Sequence, residues 1–251
     1  MINLYDDFSS EEEHDHGAAN FLRRGQDRGG RGAQRPPYEM EVAHQRRRQL
    51  PAVPSPPLSL DWVNLSAYGF PESVALSELP GSKFRGRYRD LTTDISTLKT
   101  LDISDVVCLI TMAEFRKFRV PNLLSEYENA GFLVFHFPIE DGKIPEDVLG
   151  LDNILSKIRK RIADGHRVLV HCYGGLGRAV LVAACLLQVI DEDITPEEVI
   201  NQLRELRGPR AVQSVKQYNF INEFRDLIVQ AEVEEAEDEG CVSRWQRINY
   251  F

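Results

Sequence analysis

The stretch Val168-Leu169-Val170-His171-Cys172, followed by Tyr173-Gly174-Gly175-Leu176-Gly177 and then by the apolar run from Arg178 to Ile190, constrains the fold more than any other part of the chain. An apolar run without alternation suits a strand covered on both faces. A helix that is apolar nearly all round must be buried too. The glycines between them let the backbone turn at angles a side chain would forbid. A buried strand handing over to a buried helix is one step of a parallel α/β sheet, and the flanking sequence repeats the alternation. Strands are expected at 58–66, in SVALSELPGSKF, at Val106–Ile110 and at Phe132–Phe137. Helices are expected at Asp90–Leu101, in VPNLLSEYENAG (Pro just inside its start, Gly just past its end), at Glu146–Asp164, after the Thr195 cap with Pro196 at its first position, and at Gln213–Gln230. The fold class is therefore α/β, with a mainly parallel central sheet flanked by helices.

In such sheets ligands bind beyond the carboxyl ends of the strands, which is where Cys172 lies. The loop from Tyr173 through Gly174, Gly175, Leu176 and Gly177 to Arg178 can wrap a phosphate dianion. Backbone N–H groups and the helix N-terminus converge on the anion, and Arg178 grips two oxygens at once. The same field favours a thiolate at Cys172, a nucleophile at neutral pH. The alternative is an inert packing cysteine, but a packing cysteine needs neither three glycines nor a terminal arginine. No second cysteine stands nearby to make a redox pair. Phosphoester hydrolysis through a cysteinyl-phosphate is the chemistry this pattern supports.

HCYGGLGR with VLVAACLL behind it resembles the family of cyclin-dependent-kinase-associated phosphatases, within the dual-specificity protein tyrosine phosphatases. LPGSKF (79–84), FRVPNLLSEY (118–127), FPIEDGKIPED (137–147), ITPEEVINQLRELRG (194–208) and AVQSVKQYNFINEFRDLI (211–228) resemble it too, so the likeness runs over about residues 57–230. The resemblance implies the cysteine-phosphatase fold and a phosphatase acting on phosphothreonine, phosphoserine or phosphotyrosine of a protein. The expected partner is a phosphorylated cyclin-dependent kinase, with or without its cyclin, and no cofactor is implied. Asp141, by its place in Pro-Ile-x-Asp-Gly, matches the general acid, with Glu140 as the local competitor and a simple turn residue as the plain alternative. His171 reads as a structural histidine that holds the loop. Gln213 and Gln217 match a Gln-x-x-x-Gln segment in which one glutamine orients water, a packing or surface role being the alternative. The position after the loop arginine, Ser or Thr in most of the superfamily, is Ala179 here. The missing hydroxyl would donate to the departing thiolate, a charge-assisted bond of about 1.5–3 kcal/mol.

The remaining sequence sets bounds. With 251 residues and 42% hydrophobic content the chain can bury one sizeable core. Residues 58–231 are expected to form the catalytic domain. Residues 1–57 mix blocks of charge, Gly and Pro and read as disordered, and the acidic 232–251 reads as a frayed tail. Within the first tail, Ser9 and Ser10 precede a glutamate run suited to an acidophilic kinase, RRGQDRGGRG resembles an RNA-contacting stretch, and Arg46-Arg47-Arg48-Gln49-Leu50 resembles a cyclin-docking motif. A solvated tail is the simpler reading of all three. In the second tail, Trp245 and Tyr250-Phe251 offer an aromatic end. A net charge of -9 argues against broad nucleic-acid binding. Cys108 and Cys185 sit in apolar runs and read as core, and no metal-ligand spacing occurs among the cysteines or His14, His16, His44, His136 and His166. With no membrane-length apolar run or signal-peptide pattern, and with a working thiol, the expected setting is the cytoplasm, with the nucleus as a second compartment.

Overall fold

The computed structural model describes residues 56–248 except residue 85, with side chains as far as residue 237. The expectations for the first tail lie outside these residues. Five strands, β1 (Asp61–Trp62), β2 (Val74–Ser77), β3 (Ile103–Cys108), β4 (Leu133–His136) and β5 (Arg167–His171), form one sheet in the order β1-β2-β5-β3-β4. Only the β1–β2 pair is antiparallel. Among the described residues seven α-helices flank the sheet: α1 (Leu91–Thr100), α2 (Met112–Lys117), α3 (Leu123–Asn129), α4 (Val148–Ala163), α5 (Arg178–Ile190), α6 (Pro196–Arg207) and α7 (Val215–Ile248).

The two-residue period of the strands sorts the core into two layers. Val74, Leu76, Val107, Val168 and Val170 point into one cluster, with Leu151, Leu155 and Ile158 of α4, the whole inner length of α5, Val199 and Leu203 of α6 and Phe220 and Phe224 of α7. Ala75, Val106, Cys108 and Leu169 point the other way, onto Leu98 of α1, Phe115 of α2 and Leu123 and Tyr127 of α3. The chain leaves β3 toward α2 and α3 on one face and leaves β5 toward α5 on the other. β3 and β5 are neighbours, so a crevice opens between their carboxyl ends, a topological switch point.

Local signals place most elements. Asp90 caps α1, accepting a hydrogen bond from the Thr93 amide at 2.8 Å, and Thr195 with Glu198 forms a capping box on α6. Several details differ, among them β3, which runs Ile103–Cys108 rather than Val106–Ile110. The first strand is short, Asp61–Trp62 with one further bond from the Val63 amide to the Val74 carbonyl at 2.8 Å, because the chain then turns into the short 3-10 helix Ser66–Tyr68. Pro121 lies before the α3 cap Asn122 rather than inside the helix, in a tight turn closed by the Leu123 amide on the Val120 carbonyl at 3.2 Å. α2 was not foreseen. The last helix runs to Ile248, so the segment expected to fray from residue 232 is helical almost to its end. Glu, a strong helix former, dominates Glu232–Glu239, and no proline interrupts it.

Candidate active site

Cys172 follows the last residue of β5 and is 3% exposed, with its sulfur on the α4–α7 side of the sheet. The Gly175 amide donates to its Sγ at 3.2 Å. Cys108, opposite His171 in the ladder, points to the other side. Burial pushes the Cys108 thiol up to about 12 despite the nearby charge of Arg178. Cys108 is thus a core residue, as expected, in the cluster on the other side of the sheet from Cys172. Cys185 is buried on α5 as expected.

The loop carbonyls are drawn outward one after another. Tyr173 O accepts from the Leu79 amide at 3.1 Å, and Leu176 O from the Val212 amide at 3.0 Å. Gly174 O and Gly175 O accept from Arg207 at 3.2 and 2.9 Å, and Gly177 O accepts from the Leu181 amide at 2.9 Å inside α5. In a trans peptide the C=O and the next N–H point opposite ways, so the N–H groups of 174–178 are turned from the scaffold toward the crevice. The Tyr173 ring stacks on Phe118 with centroids 4.2 Å apart and lies under the Arg87 guanidinium. Gly175 takes φ +68, and a Cβ there would stand 2.6 Å from the Ser77 carbonyl oxygen. This glycine is required both by conformation and by space.

Arg178 opens α5 and is 1% exposed. Nη1 and Nη2 fork onto Glu114 at 2.7 and 3.0 Å, Nη1 also reaches Ile139 O at 2.8 Å, and Nη2 lies 3.2 Å from Asp141 Oδ1. Nε is buried with no partner among the described residues. Burial alone would lower the Arg178 pKa, but the Glu114 hydrogen bond and neighbouring negative charge raise it, so the side chain is always cationic. Burial pushes the Glu114 carboxyl up, but the Arg178 hydrogen bond and the Thr111 amide outweigh it and hold it below its ordinary value. Glu114 is the residue missed in the sequence. Its signal was present: Thr111-Met112-Ala113-Glu114 is a capping box, and the structure forms it on α2. Oε2 accepts the Thr111 cap bonds and one bond from Arg178, and Oε1 accepts the other from Arg178.

Asp141 sits at the tip of a turn closed by the Lys143 amide on the Glu140 carbonyl at 3.0 Å, with Gly142 at φ +75. Its side chain is 62% exposed, at the mouth of the crevice. Of the two neighbouring carboxylates it is Asp141 that meets Arg178. Ser214 Oγ donates to Gly142 O and Gln217 Nε2 to Lys143 O, both at 3.3 Å, so the start of α7 anchors this turn. Gln217 is wholly buried, whereas Gln213 is exposed with Oε1 over Gly177, 2.6 Å from where a Cβ would stand. His171 is buried, with Nε2 3.2 Å from the Tyr127 hydroxyl. Burial drives its pKa down to about 3, with the Cys172 backbone opposing and the Arg178 charge adding to the fall. It is a neutral imidazole tied to α3. Ala179 is fully buried on the first turn of α5.

Comparison with known proteins identifies the family and the fold. The family model described as cyclin-dependent kinase inhibitor 3 matches residues 52–200. The human cyclin-dependent kinase inhibitor 3 is 41% identical over 172 residues, covering 68% of this chain and 81% of the relative. A crystal structure of kinase associated phosphatase, with its catalytic-site cysteine replaced by serine, superposes with a TM-score of 0.67 at 39% identity, over 70% of this chain and 98% of that one. The active form of the phosphatase Tk-PTP matches with a TM-score of 0.54 at 28% identity, over 67% and 97% of the two chains.

Proposed function

Because the chain belongs to the cyclin-dependent kinase inhibitor 3 family, we propose that it is a cysteine-dependent protein phosphatase that removes phosphate from threonine, serine or tyrosine in the activation loop of a cyclin-dependent kinase. The observation that carries this reading is Arg178. Its Nη atoms are immobilised by Glu114 while its buried Nε has no partner among the described residues, and the helix it begins faces a sulfur that already receives an amide N–H. A phosphoryl oxygen supplies the partner Nε lacks. Residues 58–231 are the catalytic unit in this reading.

The proposed steps use the groups the crevice brings together. Cys172 Sγ attacks phosphorus, an S–P bond forms and the P–O bond to the substrate side chain breaks. Arg178 and the inward N–H groups of 174–178 hold the equatorial oxygens as charge redistributes. Asp141 protonates the leaving oxygen, then takes a proton from the water that attacks the phosphoenzyme, and the S–P bond breaks to restore the thiolate. His171, neutral and buried, carries no proton in this cycle and keeps β5 and α3 in register beneath the loop. An incoming phosphate dianion competes with Asp141 for Arg178, which frees the carboxyl to act on the leaving group. Tyr173, Gly174, Gly175, Leu176 and Gly177 add no cation to the cradle, which suits a single phosphate on a protein better than a multiply charged small molecule.

The deciding experiment is phosphate release from a cyclin-dependent kinase phosphorylated on its activation loop, compared with Cys172→Ser. Release by the wild type alone supports the proposal. Binding of the phosphorylated kinase without release would favour a second reading, a phosphatase-like module that holds its partner. Ala179 is the observation on that side, since it leaves the departing sulfur without a hydroxyl donor.

A further inference from the structure

We propose that Arg207, at the far end of α6 and outside the crevice, is a positioning residue that shapes the phosphate cradle from behind. The inference rests on the phosphatase reading only for its kinetic consequence. Arg207 Nε donates to Gly175 O at 2.9 Å and Nη2 to Gly174 O at 3.2 Å, while Nη1 pairs with Asp61 on the edge strand β1. All three nitrogens of one planar fork are committed. Two of them hold consecutive carbonyls in the glycine pair, the part of the loop with the least conformational preference of its own.

The consequence follows from peptide planarity. Fixing the carbonyls of 174 and 175 outward aims the N–H groups of Gly175 and Leu176 inward. The first of these is observed 3.2 Å from Cys172 Sγ. The other outward carbonyls, at 173, 176 and 177, are held by backbone amides, which any sequence with this fold supplies. The glycine pair depends instead on one side chain. The fit is close: a Cβ on Gly175 would come within 2.5 Å of Arg207 Nη2. A lysine presents one compact ammonium in place of the fork and cannot hold both carbonyls and Asp61 in one plane.

The test uses the full chain and tungstate, a tetrahedral oxyanion, as the probe of the cradle. Tungstate affinity by calorimetry, kcat/KM on a phosphoprotein and the unfolding midpoint are measured for wild type, Arg207→Gln, Arg207→Lys and Asp61→Asn. Loss of charge-assisted anchoring predicts a fall of about tenfold or more in tungstate affinity and in kcat/KM for Arg207→Gln. Arg207→Lys should recover only part of it. Asp61→Asn, which frees the fork but spares its carbonyl bonds, should lose about threefold. A purely structural arginine would lower the midpoint and leave tungstate affinity unchanged in the folded protein, and that result overturns the proposal. Should Arg207→Gln fail to fold, wild-type affinity and kcat/KM in both other variants overturn it equally. A wild type that binds tungstate but releases no phosphate would remove the phosphatase reading, while the affinity ratios among the variants would still support or sink the role of Arg207.

Discussion

Replacing Glu114 by Gln tests how much the candidate site owes to a residue that never enters the crevice. The carboxylate accepts two charge-assisted bonds from Arg178, at 2.7 and 3.0 Å, with its partner 1% exposed. Glutamine keeps one acceptor and turns the other into an amine facing a guanidinium amine. Breaking a buried pair from one side costs about 3–5 kcal/mol. Arg178 retains Ile139 O, Leu109 O and Asp141 as partners, so the net loss should be about 2–3 kcal/mol, read as a shift in the urea midpoint at constant slope. The arginine also loses its fixed angle. A loss of about 1.4–2.8 kcal/mol in transition-state binding lowers kcat/KM about ten- to a hundredfold. The deficit also depends on pH. The Glu114 carboxyl is held below its ordinary value in the fold, so its contribution is complete above the unfolded pKa and disappears as pH falls through the folded one. The midpoints of wild type and Glu114→Gln should therefore converge in acid. A variant with the wild-type midpoint and kcat/KM at pH 7 would refute the clamp.

Four further outcomes are expected. Asp141→Asn should lower kcat on phosphothreonine about 10²- to 10⁴-fold and lose much less on an aryl phosphate whose leaving group needs no proton, and equal losses on both would exclude Asp141 as the acid. Gly175→Ala meets both φ +68 and the Ser77 carbonyl, whereas Gly174→Ala meets nothing within 4 Å, so the first should cost about 1–3 kcal/mol and the second should unfold close to the wild-type midpoint. The His171 ring, with its pKa near 3, should show no NMR titration between pH 8 and pH 5; because its unfolded form binds the proton first, stability falls as pH drops below about 6.5. Ala179→Ser should speed breakdown of the phosphoenzyme, turning an initial burst with slow turnover into a steady rate about ten- to a hundredfold higher, and unchanged turnover would show that amides and the helix end already stabilise the leaving thiolate.

What was legible in the sequence follows from the range of each interaction. The β5–loop–α5 step is local: its apolar run, its glycines and its arginine are contiguous, and the helix limits Arg178–Ile190 agree residue for residue with the expectation. The resemblance to a phosphatase family rested on the same kind of contiguous motif. Asp141 is 31 residues from Cys172, and its match to the general acid came from that resemblance, since spacing alone left Glu140 open; its contact with Arg178 is seen only in the fold. Glu114 and Arg207 lie 64 and 32 residues from the loop groups they hold, and each also satisfies a local rule in the fold, one in the capping box of α2 and the other as a basic residue in the last turn of α6. A side chain that satisfies a local rule and a distant one gives no sign in the sequence of the second. The register β3–β5 and the opposite exits of those strands are needed to see it, because they bring α2 and α6 to either side of the same loop. The final helix failed for the opposite reason. The 3.6-residue apolar period fades after about residue 230, and only the high helix propensity of Glu232–Glu239 carries α7 onward, a signal that composition alone presents as an acidic tail.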